Sequence, residues 1–393
     1  MEDKINKFFC IQPFVNVTTR IKGQNNVCCN ISSVDSNIKH ESPHEFFNSQ
    51  KVKNFRESLL RGEKRNECRL CHYLEHKSKN SHRMEYNKYY NIKNDQDNQY
   101  YKEILERLRI STPKNPLYFE MHVSNLCNLK CLTCNEFDSS RFHAENKALG
   151  VSIDNDANYS RIDENKIVAL ESAISDQLLF LDIRGGETLM VPEVKKILKE
   201  VDTTRASNIT LKIQTNGTIM PDNDWTSIFK KFKNTKVNLS VDAFGDDNNY
   251  LRYPADWNTI LHTIDYLKSN DIKFIINTVI SNLNLLLLDK LFNWIQKEGY
   301  LNYFYILHSP DIYQPNNLPK DLLDISKKRL QNVKTEFVNQ ESNKKLSDLM
   351  TLCDEPGTKS NWKNFCDEIQ MRDTYRKNNI TNIIPEIKEY LYA

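Results

Sequence analysis

The sequence has no internal repeat, no low-complexity tract beyond a general richness in asparagine and lysine, and no excess of one charge. Its 54 lysines and arginines stand against 52 aspartates and glutamates, a formal net charge of +2, so bulk electrostatics give no indication of a nucleic-acid partner. Long apolar runs are missing too. The leucine run 285–288 is far shorter than the roughly 20 residues a membrane helix needs. The opening Met1-Glu2-Asp3-Lys4-Ile5-Asn6-Lys7 is too polar for a secretory signal. These absences predict a cytoplasmic protein with no membrane partner. The 393 residues suggest two or three domains, and an apolar fraction of 39% suffices for a globular core. In a reducing compartment, the ten cysteines point to metal ligands or free thiols rather than disulfides.

Three of those cysteines, Cys127, Cys131 and Cys134, fall within eight residues and can converge on one small object. Soft thiolates suit iron–sulfur clusters or zinc, not calcium or magnesium. A structural zinc site or a protein-held four-iron cluster takes four ligands, so three leave one metal position open for chemistry. The other reading is a zinc site completed by His122 or His143. Upstream, Cys68-Arg69-Leu70-Cys71 is a compact chelating knuckle for zinc or for a cluster. With Cys10 and Cys28 it could equally make a structural zinc ribbon, or the four could be ordinary buried cysteines. Cys353 and Cys366 are expected to be core or surface thiols.

Residues 15–21 alternate like a strand, Gly23 supplies a turn, and 27–31 reads as the returning strand. A helix is expected from 45 to 60, ending near Gly62, and another from 99 to 110, which Pro113 and Pro116 terminate at a domain boundary. Beyond it, short apolar strands at 117–123, 178–184, 208–214, 236–241, 272–280 and 302–308 alternate with helical stretches, the pattern of a parallel α/β fold. One face of each strand is apolar, as in Phe119 and Met121; the other is polar, as in Glu120 and His122. The polar set predicts a hydrated lumen lined by Glu120, His122, Asp182, Arg184, Lys212, Gln214, Asn277 and His308, or an internal ion-pair network among them. After a proline-spaced loop at 310–319, helices are expected at 322–338, 342–352, 362–375 and 385–392.

The cysteine triplet, the Gly185-Gly186-Glu187 motif, Thr215-Asn216-Gly217-Thr218 and Ser240-Val241-Asp242 all follow or end successive strands. Taken in this order they resemble the radical S-adenosylmethionine (SAM) superfamily. The likeness departs from the family at Thr133, where an aromatic residue is usual, and at Thr188, where proline is usual. It implies a partial (β/α)6 TIM-like barrel over 117–315 with its site at the carboxyl ends of the strands. It implies that Cys127, Cys131 and Cys134 hold a catalytic [4Fe-4S] cluster, and that Gly185, Gly186, Glu187, Asn216, Ser240 and Arg252 bind SAM. The reaction implied is reductive cleavage of SAM to a 5′-deoxyadenosyl radical that takes hydrogen from a peptide or small-molecule substrate. An electron donor such as flavodoxin or ferredoxin would supply the electron.

The spacing of Cys10, Gly23 and Cys28, with Phe47-Asn48-Ser49, Cys68, Cys71, Glu75, Ser81 and Arg83, resembles a SPASM/twitch module placed before the barrel. That likeness implies a cysteine-rich domain over 1–92 in which Cys10, Cys28, Cys68 and Cys71 ligate one auxiliary iron–sulfur cluster. A linker helix over 93–116 and a helical C-terminal extension over 316–393 complete the expected division. The competing function is a zinc-binding structural or interaction protein with non-catalytic cysteines.

Overall fold

A computed structural model describes residues 6–31, 42–78, 81–90, 115–153, 162–333 and 340–391. The linker helix expected at 99–110 lies outside them. The strands are β1 (Asn16–Thr19), β2 (Asn25–Asn26), β3 (Tyr118–His122), β4 (Phe180–Arg184), β5 (Thr210–Thr215), β6 (Asn234–Ser240), β7 (Lys273–Ile280) and β8 (Asn302–Ile306). They form an eight-stranded sheet in the order β2-β1-β3-β4-β5-β6-β7-β8. The pairs β1–β3, β3–β4, β6–β7 and β7–β8 run parallel, and β1–β2 runs antiparallel. From β3 to β8 each strand neighbours its successor in sequence and a helix lies in each connection, as in a partial (β/α)6 barrel. All six expected barrel strands are present.

The N-terminal hairpin differs from its sequence reading. Gly23, at φ +81°, and the bonds Gly23 N→Arg20 O and Arg20 N→Gln24 O close the turn early, so Asn25 and Asn26 pair with Thr19 and Thr18. Residues 27–31 are left in turns rather than in the returning strand. The helix expected at 45–60 is two helices, Pro43–Phe47 and Gln50–Leu60, because Ser49 caps the second by accepting from Val52 N.

By its internal contacts the chain divides into two units. The first comprises Met1–Ser124, Arg161–Lys212 and Ser227–Thr235; the second comprises Asn125–Ser160, Ile213–Thr226 and Lys236–Ala393. In the first, Phe119, Met121, Leu181 and Ile183 are fully buried, and Val194, Ile197 and Leu198 give helix Pro192–Glu200 its apolar stripe. In the second, Leu239, Val241, Ile276, Phe292 and Phe304 share one core with Leu285–Leu287 and with Leu349, Phe365 and Ile369 of the C-terminal helices. Those helices are Lys320–Gln331, Gln340–Leu352, Lys359–Arg376 and Lys388–Leu391. Cys353 and Cys366 are buried members of that core. No described helix is long and apolar enough to cross a membrane.

Candidate metal centre and cofactor site

In the second unit, the segment carrying Cys127, Cys131 and Cys134 has no regular secondary structure, so other groups must hold its shape. Ser140 N donates to Asn125 O at 2.6 Å, Ser139 Oγ to Leu129 O at 2.6 Å, Lys130 N to Tyr253 O at 2.7 Å and Leu132 N to Leu251 O at 2.9 Å. The last two splice the cysteine loop to the loop that carries Arg252. Cys127 and Cys131 are buried, Cys134 is half-buried, and the three pack around Leu129. Burial, then Asp138, then the two other thiols push Cys134 well above the ordinary thiol range. Burial raises Cys131 as well, against the pull of the Arg252 guanidinium.

Asn216 follows β5, Ser240 ends β6, and Arg252 follows the helix Asp246–Leu251. Asn216 Nδ2 lies 3.9 Å from Cys127 Sγ and donates to Asn128 Oδ1 at 2.9 Å, while Asn128 Nδ2 donates to Thr218 Oγ1 at 2.7 Å. Ser240 Oγ accepts from Gln214 Nε2 at 2.5 Å. Arg252 Nη1 donates to Asp242 Oδ2 at 2.6 Å, and the other carboxylate oxygen of Asp242 accepts from Val279 N at 2.9 Å. Asp242 thus aims Arg252, a role its place two residues past Ser240 hinted at but that the sequence reading did not assign.

In the first unit, Gly185-Gly186-Glu187 follows β4. Gly185 sits at φ +153°, and a Cβ there would lie 2.5 Å from Ser124 O, so only glycine fits. Gly186 N donates to that same carbonyl at 2.7 Å. Glu187 is fully buried, and its carboxylate accepts from Leu189 N at 3.1 Å. Along β3 and β4 the polar face carries an internal ion-pair network, the second of the two arrangements expected there. Arg184 makes a forked pair with Asp182 at 2.9 and 3.0 Å and reaches Glu120 at 3.7 Å; Tyr118 donates to Asp182 at 2.6 Å, and Lys212 donates to Tyr118 at 3.1 Å. Burial alone would raise Asp182, yet Arg184 and its other partners hold it down at about 2. His122 bonds Glu120 at 3.3 Å, and His308 is exposed.

The first unit also brings Cys10, Cys28, Cys68 and Cys71 around one small cavity. Cys29 does not line it; its sulfur lies 3.5 Å from His82 Nδ1 instead. The cavity wall is clamped by Glu75. Arg83 donates to it at 2.5 and 2.9 Å and Ser81 at 2.5 Å, while Arg83 Nη1 donates to Phe9 O at 2.8 Å. The residue before Cys10 is thereby tied to the helix that starts beside Cys71. Burial raises Cys10 strongly and raises Cys68 to about 12.

Around a single tetrahedral zinc at about 2.3 Å, ligand sulfurs stand roughly 3.8 Å apart. Among the described residues, one set of three histidine, cysteine or acidic ligand atoms lies within 4.8 Å of one another: Cys28, Cys29 and His82. Neither the triplet nor the four cavity cysteines contract to that spacing, and no described histidine or carboxylate joins the triplet within it. The buried Nε of Arg252 finds no acceptor among the described residues. Three soft donors held apart, with an orphaned guanidinium N–H on an arginine that feels the charge of Cys131 and Cys127, fit an iron–sulfur cube with one open corner and an anionic ligand beside it.

A search of curated proteins gives no match. Among solved structures the chain is similar to anSMEcpe with bound AdoMet (19% identity, 54% of this chain and 57% of that chain, TM-score 0.39). It is also similar to SuiB of Streptococcus suis bound to S-adenosylmethionine (14% identity, 63% and 57%, TM-score 0.40) and to the same protein bound to precursor peptide SuiA (15% identity, 64% and 54%, TM-score 0.36). The chain therefore spans little more than half the length of each of these. The family model described as Radical SAM superfamily matches residues 121–295, which take in the cysteine triplet, the Gly185-Gly186-Glu187 motif, Asn216, Ser240 and Arg252. Over residues 121–295 the chain is therefore similar to the radical SAM superfamily.

Proposed function

We propose that this protein is a radical SAM enzyme with one catalytic and one auxiliary iron–sulfur cluster. The observation that carries the reading is the gathering of three thiols, two buried and one half-buried, in the stretch that matches the Radical SAM superfamily model, with no fourth ligand beside them among the described residues. Cys127, Cys131 and Cys134 would hold a [4Fe-4S] cluster. Bound there with SAM, it supplies a one-electron reductive cleavage that yields the 5′-deoxyadenosyl radical. The protein's own groups bind and orient. The Gly185 and Gly186 backbone and the Glu187 carboxylate suit the SAM ammonium group, and Arg252, aimed by Asp242, suits its carboxylate. Asn216 and Ser240 supply neutral hydrogen bonds. Cys10, Cys28, Cys68 and Cys71 suit an auxiliary cluster, because four soft thiols line one cavity. The substrate is a peptide or a small molecule, and the electron donor is of the flavodoxin or ferredoxin type.

Anaerobic purification followed by iron, sulfide and zinc analysis tests this. Two four-iron clusters give about eight irons per chain. Stoichiometric zinc without visible absorption would instead support a structural or interaction protein. Within the enzyme reading, Cys131→Ala abolishes 5′-deoxyadenosine formation under reducing conditions. Undiminished SAM cleavage by that variant removes Cys131 as a ligand.

A further inference from the structure

One buried cluster of charges belongs to none of the groups above. Glu145, whose side chain is wholly buried, receives three cations: Lys130 at 2.5 Å, Arg372 at 2.7 Å and Arg376 at 2.6 Å. Burial alone would raise its pKa, but bonds from Arg376 and Lys130 hold it below the ordinary carboxylate range, so it is ionised. Lys130 lies inside the cysteine loop, between Cys127 and Cys131. Arg376 also donates to the backbone carbonyl of Lys130 at 2.8 Å and sits over the Tyr253 ring. Arg372 donates to Asn146 at 2.8 Å and lies over Phe142. Both arginines come from the C-terminal helix Lys359–Arg376, more than two hundred residues away in sequence.

A buried carboxylate with three donors costs a great deal to desolvate and is retained only where the geometry satisfies it. Here the geometry fastens both ends of one segment. Glu145 lies in the helix Ser140–Ala148 just after the cysteine loop, Lys130 lies in the loop, and the two arginines clamp them together. The Arg376 bond to the Lys130 carbonyl also brings its charge to the residue beside Cys131. The other charged groups facing the cluster are Glu368, paired with Arg372 at 2.6 Å, Asp373, bonded to Tyr250, and the Arg252–Asp242 pair.

We infer that the C-terminal helix is part of the cysteine-loop site. Glu145 and Arg376 are positioning residues that hold the loop in its ligating shape, and Arg376 adds a positive charge that raises the reduction potential of a cluster bound there. The potential rests on the iron–sulfur reading; the fastening of the loop does not.

Two measurements separate them. In the metal-free protein, Arg376→Met should speed hydrogen exchange at the Lys130 and Leu132 amides about tenfold, as their bonds to Tyr253 O and Leu251 O open more often. Unchanged exchange there overturns the fastening, whatever metal the protein binds. In the reconstituted protein, Arg376→Met should lose iron to a chelator roughly tenfold faster, in line with the cost of removing an outer support of a metal site. Its midpoint potential should fall, because a cation that favours the more negative reduced state is gone. Arg376→Lys keeps the charge and should restore the potential while restoring retention only in part. Glu145→Gln removes the opposing charge and should raise the potential, which decides the point if Arg376→Met does not fold. Potentials that stay at the wild-type value in every variant that folds overturn the charge role.

Discussion

At the scale of single residues, the clearest contrast is between two glycines that both have positive φ. Gly185 faces backbone: a methyl group there meets Ser124 O at 2.5 Å and Ser124 N at 3.1 Å. Gly217, at φ +76°, faces the tip of a flexible side chain, Leu239 Cδ1, at 2.4 Å. Backbone cannot step aside without breaking Gly186 N→Ser124 O, whereas a leucine methyl can rotate. Both alanine variants lose about 1 kcal/mol or more from the unfavourable φ. Gly185→Ala should lose about 2 kcal/mol beyond Gly217→Ala, as a steric clash with main chain adds to conformational strain. Urea unfolding of both variants measures the difference, and equal losses would show that the Ser124 carbonyl yields after all. The cysteine triplet, the glycine pair and Arg252 stand out in the sequence because each is a residue type at a fixed short spacing. Asp242 was only half legible, since its partner Arg252 is ten residues on, and the function of an aspartate at a strand end depends on what lies across from it.

At the scale of elements, alternation along the strands is a local property, and it located all six barrel strands to within a few residues. The hairpin went differently because its register is fixed by the turn at Gly23 rather than by the apolar pattern of 27–31. The polar strand face was legible as polar, and an internal ion-pair network was one of its two readings; which residues pair was not, because that depends on cross-strand register: Glu120 stands opposite Asp182, and His122 opposite Arg184. The Glu145 cluster left no sequence signal, since its two arginine donors lie more than two hundred residues away. The helix Arg69–Ser78 and the segment beginning at Ser81 offer an element-scale test through Glu75, which holds them together and ties both to Phe9. Removing one partner of a largely buried pair costs on the order of 3 kcal/mol, because the other charge is left unpaired. Glu75→Gln should therefore lower the unfolding temperature. On the two-cluster reading it should also loosen Cys10 from Cys71, so that iron after reconstitution falls from about eight to about four per chain with SAM cleavage retained. A variant that keeps all its iron would remove the clamp from the auxiliary site.

At the scale of the whole molecule, two sets of buried ionisable groups set opposite limits on pH stability. The carboxylates Asp182 and Glu145 have folded-state pKa values below their ordinary ones. Their contribution is complete above the unfolded values and is lost as pH falls through the folded ones; for Asp182 that window runs from 3.8 to about 2. Asp182→Asn should remove most of the wild-type loss within that window. The thiols run the other way. Cys10, Cys131 and Cys134 are raised above the ordinary 9.0 by burial. In the metal-free protein their contribution is present below that value and declines as pH climbs past it, because the unfolded chain then ionises first. Metal coordination reverses this, since a ligated sulfur is already a thiolate balanced by the metal's charge. The buried tyrosines Tyr118, Tyr250 and Tyr313, also raised by burial, respond alike in both forms. The difference between forms therefore isolates the cysteines. Urea midpoints recorded at pH 7 and pH 10 should fall steeply for chelator-treated protein and much less for reconstituted protein. Equal falls would mean that these thiols are not the groups a metal neutralises.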